Sequence, residues 1–137
     1  MIKEAIRYLR TKRQRSPDLI GNARAILKKT PREGHIYTDV KPVREACGTA
    51  YLAVLEAINE YLLARGLNRK ELPKSFEQYQ KALRKYISIH NGKLFREFDV
   101  LYDELHLAGY YRGWLYHVEA LKDIFATAQQ FIEKLSK

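Results

Sequence analysis

The stretch Trp114–Leu135, WLYHVEALKDIFATAQQFIEKL, decides the fold. Trp114, Val118, Leu121, Phe125, Ala128, Ile132 and Leu135 recur at steps of 4, 3, 4, 3, 4 and 3. That spacing keeps them on one face of a helix with 3.6 residues per turn. Ile124 and Phe131 widen the stripe. A face this broad exceeds what one neighbour can cover, so the pattern predicts a helix at the centre of a bundle or at a dimer contact.

Upstream the same period repeats. Leu94, Phe98, Leu101, Tyr102 and Leu105 mark a helix that follows a turn at Asn91-Gly92 and ends near Ala108-Gly109. Pro73 is expected to open another, reaching about His90, with Phe76, Tyr79, Leu83, Tyr86 and Ile87 inward. Asp39 and Pro42 announce a long helix to about Arg65, stopped by Gly66 as a C-terminal glycine. Its inward residues are Val43, Cys47, Ala50, Val54, Ala57, Ile58 and Tyr61, and Ala46–Ala50 (ACGTA) is small on every side. Small residues let a neighbouring helix come close, which makes Cys47 a packing residue rather than a reactive thiol. Ser16-Pro17-Asp18 carries helix-start signals, with Ser16 as cap. They predict a helix to about Lys29, separated by a break or sharp kink from a first helix over Ile2 to about Arg15. Thr30–Lys41 is the longest loop, and nothing reads as a strand. The chain therefore reads as one all-α domain, residues 1–137, an antiparallel bundle of five to six helices.

Composition narrows the function classes. One cysteine in 137 residues excludes a disulfide framework and a multi-cysteine zinc site. No apolar run reaches the roughly 18 residues of a membrane span, so no membrane partner is expected. The opening MIKEAIRYLR has charges where a secretory signal needs an apolar stretch, so the expected location is cytoplasmic. Lys and Arg number 25 against 16 Asp and Glu, a net charge of +9. The excess comes from two segments. Residues 1–30 hold nine basic and two acidic side chains, and residues 74–96 hold six and one. Residues 97–137, with four and seven, are acidic. Arg10, Lys12, Arg13 and Arg15 form a basic arm, and Lys81–Arg96 a basic helix. Such asymmetry either steers a polyanion to one face or simply keeps the protein dissolved.

No P-loop, HExxH or GxSxG pattern is present. Asp99, Asp103 and His106 share a helix face, but no second acid-x-x-His complements them. They read as a solvated polar face, with no metal site and no cofactor expected. Of ten tyrosines, Tyr51, Tyr61, Tyr79, Tyr86 and Tyr102 fall on or beside core faces. Tyr110, Tyr111 and Tyr116 instead cluster with Arg112, Trp114 and His117. That group either stacks on a base or nucleotide, or plugs one end of the bundle.

Arg112-Gly113-Trp114-Leu115-Tyr116-His117 is an Arg-x4-His motif. With it, the segments AYLAVLEAINEYLLARG (50–66), LYDELHLAGYYRG (101–113) and HVEALKDIFATAQQFIEKL (117–135) give the chain a resemblance to the HEPN superfamily. The resemblance covers roughly residues 20–137 and implies a HEPN-like four-helix core. In the ribonuclease members an Arg-x4-6-His motif opens a late helix and faces its copy across a dimer. The resemblance thus implies a homodimer in which Arg112 stabilises the scissile phosphate and His117 transfers protons. Such metal-independent cleavage by the RNA 2′-OH needs a group that titrates near neutral pH and a fixed planar cation. The residue after the arginine is usually polar in that family, often Asn; here it is Gly113. Two readings stay open. One is an RNA-directed, toxin-type endoribonuclease acting through Arg112 and His117. Its nucleic-acid contacts would come from Arg10, Lys12, Arg13, Arg15, Tyr110, Tyr111, Trp114 and Tyr116. The other is a non-catalytic helical module that binds a nucleotide or a protein partner.

Overall fold

The computed structural model describes residues 15–87 and 92–136. The expected first helix, with Arg10, Lys12 and Arg13, lies outside the described residues, as does Asn91 of the Asn91-Gly92 turn. Five helices pack around one apolar core: α1 (Ser16–Lys29), α2 (Val40–Ala64), α3 (Phe76–Ala82), α4 (Gly92–Leu101) and α5 (Val118–Leu135). The expected all-α bundle is correct. Successive long helices run antiparallel. Ser16, at the start of α1, meets Glu60 near the end of α2, and Arg44, near the start of α2, meets Tyr110 and Tyr111 beyond α4. At the other end of α4, Glu97 pairs with Lys134 in the last turn of α5. No helix among the described residues is long and apolar enough to cross a membrane.

The α1 start differs from the sequence expectation. Arg15, with φ −77° and ψ 158°, is extended and occupies the cap position, so the chain breaks there. Ser16 is already helical and caps nothing with its own side chain. Its N–H and hydroxyl both donate to the Glu60 carboxylate, at 2.8 and 2.9 Å. An acid from the neighbouring helix therefore takes one free backbone donor of the α1 N-terminus and places its charge at the favourable end of the helix dipole. The end of α2 follows expectation: Gly66 N–H donates to Leu63 C=O, and Leu67 N–H to Leu62 C=O. Pro73 does not open α3. Ser75 does, its hydroxyl accepting from Gln78 N–H at 3.2 Å. The loop expected over Thr30–Lys41 contains a small antiparallel hairpin, Arg32–Glu33 with Ile36–Tyr37, turning at Gly34-His35.

The seam between α2 and the chain beyond α4 sets the packing. After Leu101 the helix widens into π geometry over Tyr102–Tyr111. Gly109 there lies directly on Cys47. A Cβ on Gly109 would stand 2.6 Å from Cys47 Sγ and 3.1 Å from the Glu104 carbonyl oxygen. At the next residue of each segment, a Cβ on Gly48 would meet the Tyr110 ring at 2.7 Å. The small ACGTA run thus seats the π segment, as its composition predicts. Burial without a charged neighbour pushes the Cys47 thiol up to about 12, so it packs as an apolar group.

Gly109→Ala is expected to lower stability by about 1–3 kcal/mol, the range for inserting a methyl group into a filled core. The loss should be only partly relieved in a Cys47→Ala background, which removes the sulfur the methyl strikes but keeps the Cβ 2.8 Å away. Urea unfolding of the two single variants and the double variant measures both effects.

Candidate functional site

The Arg-x4-His motif does not sit in one helix. Arg112 ends the π segment, its N–H donating to Leu107 C=O at 2.9 Å. Gly113 follows at φ +66°, the left-handed region. Trp114 N–H then returns to Ala108 C=O at 2.8 Å, which closes the helix end. Arg44 from α2 covers the same end, donating through its guanidinium to the carbonyls of Tyr110 and Tyr111 at 2.9 and 3.1 Å. A cation at a helix C-terminus is the favourable sign.

The hairpin holds the other side of the loop. Tyr37 N–H donates to Tyr116 C=O and Val118 N–H to His35 C=O, both at 2.8 Å, so Ile36 and His117 pair as an antiparallel bridge. His117 is extended and caps α5, which begins at Val118. Trp114 therefore lies outside α5 and is 64% exposed, against the expectation that it heads the apolar stripe. The remaining stripe, Val118 through Leu135 with Ile124 and Phe131, is buried as expected.

Arg112 and His117 are both exposed, one at each side of this pinned loop. The Arg112 guanidinium lies 5.2 Å over the Trp114 ring, and the His117 ring packs 4.5 Å from Tyr116. Tyr110, Tyr111 and Tyr116 are exposed around them, together with Ile36 and Val40. Of the eight large apolar side chains exposed among the described residues, these five and Trp114 share this end; Leu52 and Val100 complete the set. Arg15 is not part of the group. It lies with Glu60, Arg65 and Ser136 at the far end of α2, about 24 Å from Arg44 at 1.5 Å per residue. Arg84 over Phe95, and Lys93 and Lys134 on Glu97, also lie at that far end. The basic helix and the aromatic cluster thus occupy opposite ends of the bundle.

Beside the aromatic end runs a groove of about 470 Å³ along α2, lined by Glu45, Gly48, Thr49, Leu52, Leu55, His106 and Tyr110, with Tyr51 at its base. His106 and Tyr110 in its lining continue a column of rings in which Phe76, Tyr102, His106 and Tyr110 follow one another at 3.8, 5.3 and 6.0 Å. Tyr51 flanks His106 at 4.9 Å. The helical spacing puts His106 on a solvated face with Asp99 and Asp103. Instead the imidazole is half-buried in the column, while Asp99 accepts from Gln80 Nε2 at 2.9 Å. The four-residue steps Tyr102–His106–Tyr110 are visible in the sequence, but nothing there announces the π geometry. No group of His, Cys, Asp and Glu suited to a metal ion occurs among the described residues.

A family model described as a domain of unknown function, DUF5618, matches residues 2–137. Among solved structures the chain is similar to a protein of unknown function from Dyadobacter fermentans. The two share 29% identity over 88% of this chain and 90% of that one, with a TM-score of 0.71. No curated protein matches the chain.

Burial among the rings lowers the His106 pKa, because it disfavours the imidazolium. The unfolded chain then binds more protons than the native state once pH falls below about 6.5, the ordinary histidine value. The stabilising effect is complete above that pH and is lost as the pH drops through it towards the lower native value. The thermal midpoint of the wild type should therefore fall more steeply below about pH 6.5 than that of His106→Phe, which keeps a ring but cannot titrate. Melting curves across that range test the difference.

Proposed function

This chain belongs to the DUF5618 family, and we propose that it works as a homodimeric binding module whose interface is the aromatic end of the bundle. The observation that carries the reading is the gathering of Ile36, Val40, Tyr110, Tyr111, Trp114 and Tyr116 on one exposed surface. Apolar patches rimmed by polar groups mark interaction sites, and aromatic residues and arginine are enriched in them. Charge favours a second copy as the occupant. The protein carries +9, which makes two copies repel. The aromatic end is closer to balance, with exposed Lys28, Lys29, Arg32, Lys41, Arg44 and Arg112 against Glu33, Asp39, Glu45 and Glu119. Two copies meeting there incur a smaller like-charge penalty than the basic end would impose.

The expected test outcome is a dimer in light-scattering chromatography that becomes monomeric in Tyr111→Ser/Trp114→Ser with its helical circular dichroism unchanged. A wild type that stays monomeric at high concentration defeats the reading.

A second reading, RNA cleavage in a HEPN-like dimer, is favoured by one observation: Arg112 and His117 are both exposed and flank the same fixed loop. In that role Arg112 holds a phosphate oxygen while His117 moves the proton of the 2′-OH. RNA incubated in EDTA with wild type, Arg112→Ala and His117→Ala decides it. Cleavage lost in both variants supports the role, and cleavage absent from the wild type or unchanged in both variants removes it.

A further inference from the structure

The loop and the groove complement each other. The loop presents the chain's single tryptophan, 64% exposed, with the Arg112 guanidinium resting on its ring. The backbone beneath it is fixed on both sides, by Trp114 N–H on Ala108 C=O and by the hairpin on Tyr116 and Val118. This is a rigid aromatic knob with a cation attached. The groove is its counterpart. It has apolar walls from Leu52, Leu55 and the Tyr110 ring, which lies against Gly48 where a Cβ is missing, and one charged lining residue, Glu45. Its volume of about 470 Å³ lies in the range of pockets that enclose ring systems. Leu52, at its centre, is 53% exposed. Tyr110 and Glu45 line both this groove and the depression over Val40, Lys41 and Arg44 beside the loop, so knob and groove belong to one continuous surface.

We propose that Trp114 of each protomer inserts into the His106–Leu52 groove of a second copy, and that Arg112, carried on the indole, pairs with Glu45 at the groove mouth of that copy. The contact as proposed is two-fold: the knob of each protomer enters the groove of the other, so both are used within the dimer and no surface remains for a third copy. It rests on the homodimer reading above and says how that dimer is held. Tryptophan filling a pocket, with arginine beside it, is the usual composition of an interface hot spot.

The test uses the full chain, dimerisation measured by light scattering and Trp114 emission as a local reporter. Because Trp114 is the only tryptophan, its fluorescence reports one site. Dimer formation on raising the protein concentration should shift the emission to the blue and cut its quenching by acrylamide. Glu45→Arg and Arg112→Glu should each weaken the dimer about tenfold or more, as for other close interfacial charge pairs. The swap variant Glu45→Arg/Arg112→Glu should recover most of the loss. Recovery also shows that the single variants fold. Leu52→Glu, which places a charge in the groove without touching the loop, should abolish the blue shift. A dimer in which Trp114 remains as quenchable as in the monomer overturns the contact and leaves the dimer reading standing. Charge reversals without effect, or a swap without recovery, overturn the contact in the same way. A protein that is monomeric throughout, or whose Trp114 becomes shielded only on adding another protein, overturns both.

Discussion

The contact of Gly109 with Cys47 is the constraint on which the rest of this structure depends. It brings the backbone of the π segment down onto α2 at the one place where both helices lack bulk. With that distance set, the Tyr110 ring has space only over Gly48, where it becomes a groove wall. The same approach puts the last carbonyls of the segment within reach of Arg44, and the guanidinium ends the helix by supplying the donors that further turns would otherwise provide. The widened helix follows from the same demand. Bonding at i→i−5, as from Arg112 to Leu107, is rare over ten residues and concentrates at sites under a specific requirement. Here it keeps Tyr102, His106 and Tyr110 facing one way while Gly109 stays on Cys47.

A second constraint acts from the hairpin. Without it, the apolar pattern from Trp114 onward would extend α5 by a turn and pull the indole against the core. The backbone donors of Tyr37 and Val118 instead engage Tyr116 and His35, and residues before Val118 are drawn into extended structure. Four residues of strand, small beside 25 residues of α2, thereby determine whether a tryptophan is core or surface. The division of charge has the same origin in topology. α1 starts at the end of α2 and α4 starts beside the end of α5, so Arg15, Arg84, Lys93 and Lys134 lie at one end, and the aromatic loop lies at the other with Lys28 and Lys29 at the close of α1.

These two constraints explain what is legible in the sequence. The inward faces of α2 and α5, the tight seam at Ala46–Ala50 and the stop at Gly66 follow from periodicity and residue size, which are local properties. The role of Ser16 escapes a local reading because its partner, Glu60, is 44 residues away. Pro73 looks like a helix opener, but Ser75 competes for that role two residues later and wins it through its side-chain cap. Trp114 looks like core because a pattern of apolar steps cannot register a strand pairing with Ile36. The candidate site shows the same division. The aromatic cluster Tyr110–His117 is contiguous in sequence and therefore visible there; the groove beside it is built from α2 and the π segment and leaves no contiguous trace.

Gly113 joins the two levels. On a continuous helix a five-residue step sets Arg112 and His117 about 140° apart, which no common site tolerates. The chain resolves this by leaving the helix at Gly113, at φ +66°. Glycine and asparagine are the residues that most readily take that conformation. Glycine at 113 therefore takes the turn without backbone strain. What glycine adds is clearance: a Cβ there would stand 3.1 Å from Arg44 Cδ, against the side chain that caps the π segment. An asparagine at 113 could hold the turn only by displacing that arginine by a few tenths of an ångström or more. The residue that looks like a lapse in the motif is the one this helix end requires, because the cap that anchors the loop passes directly beneath it.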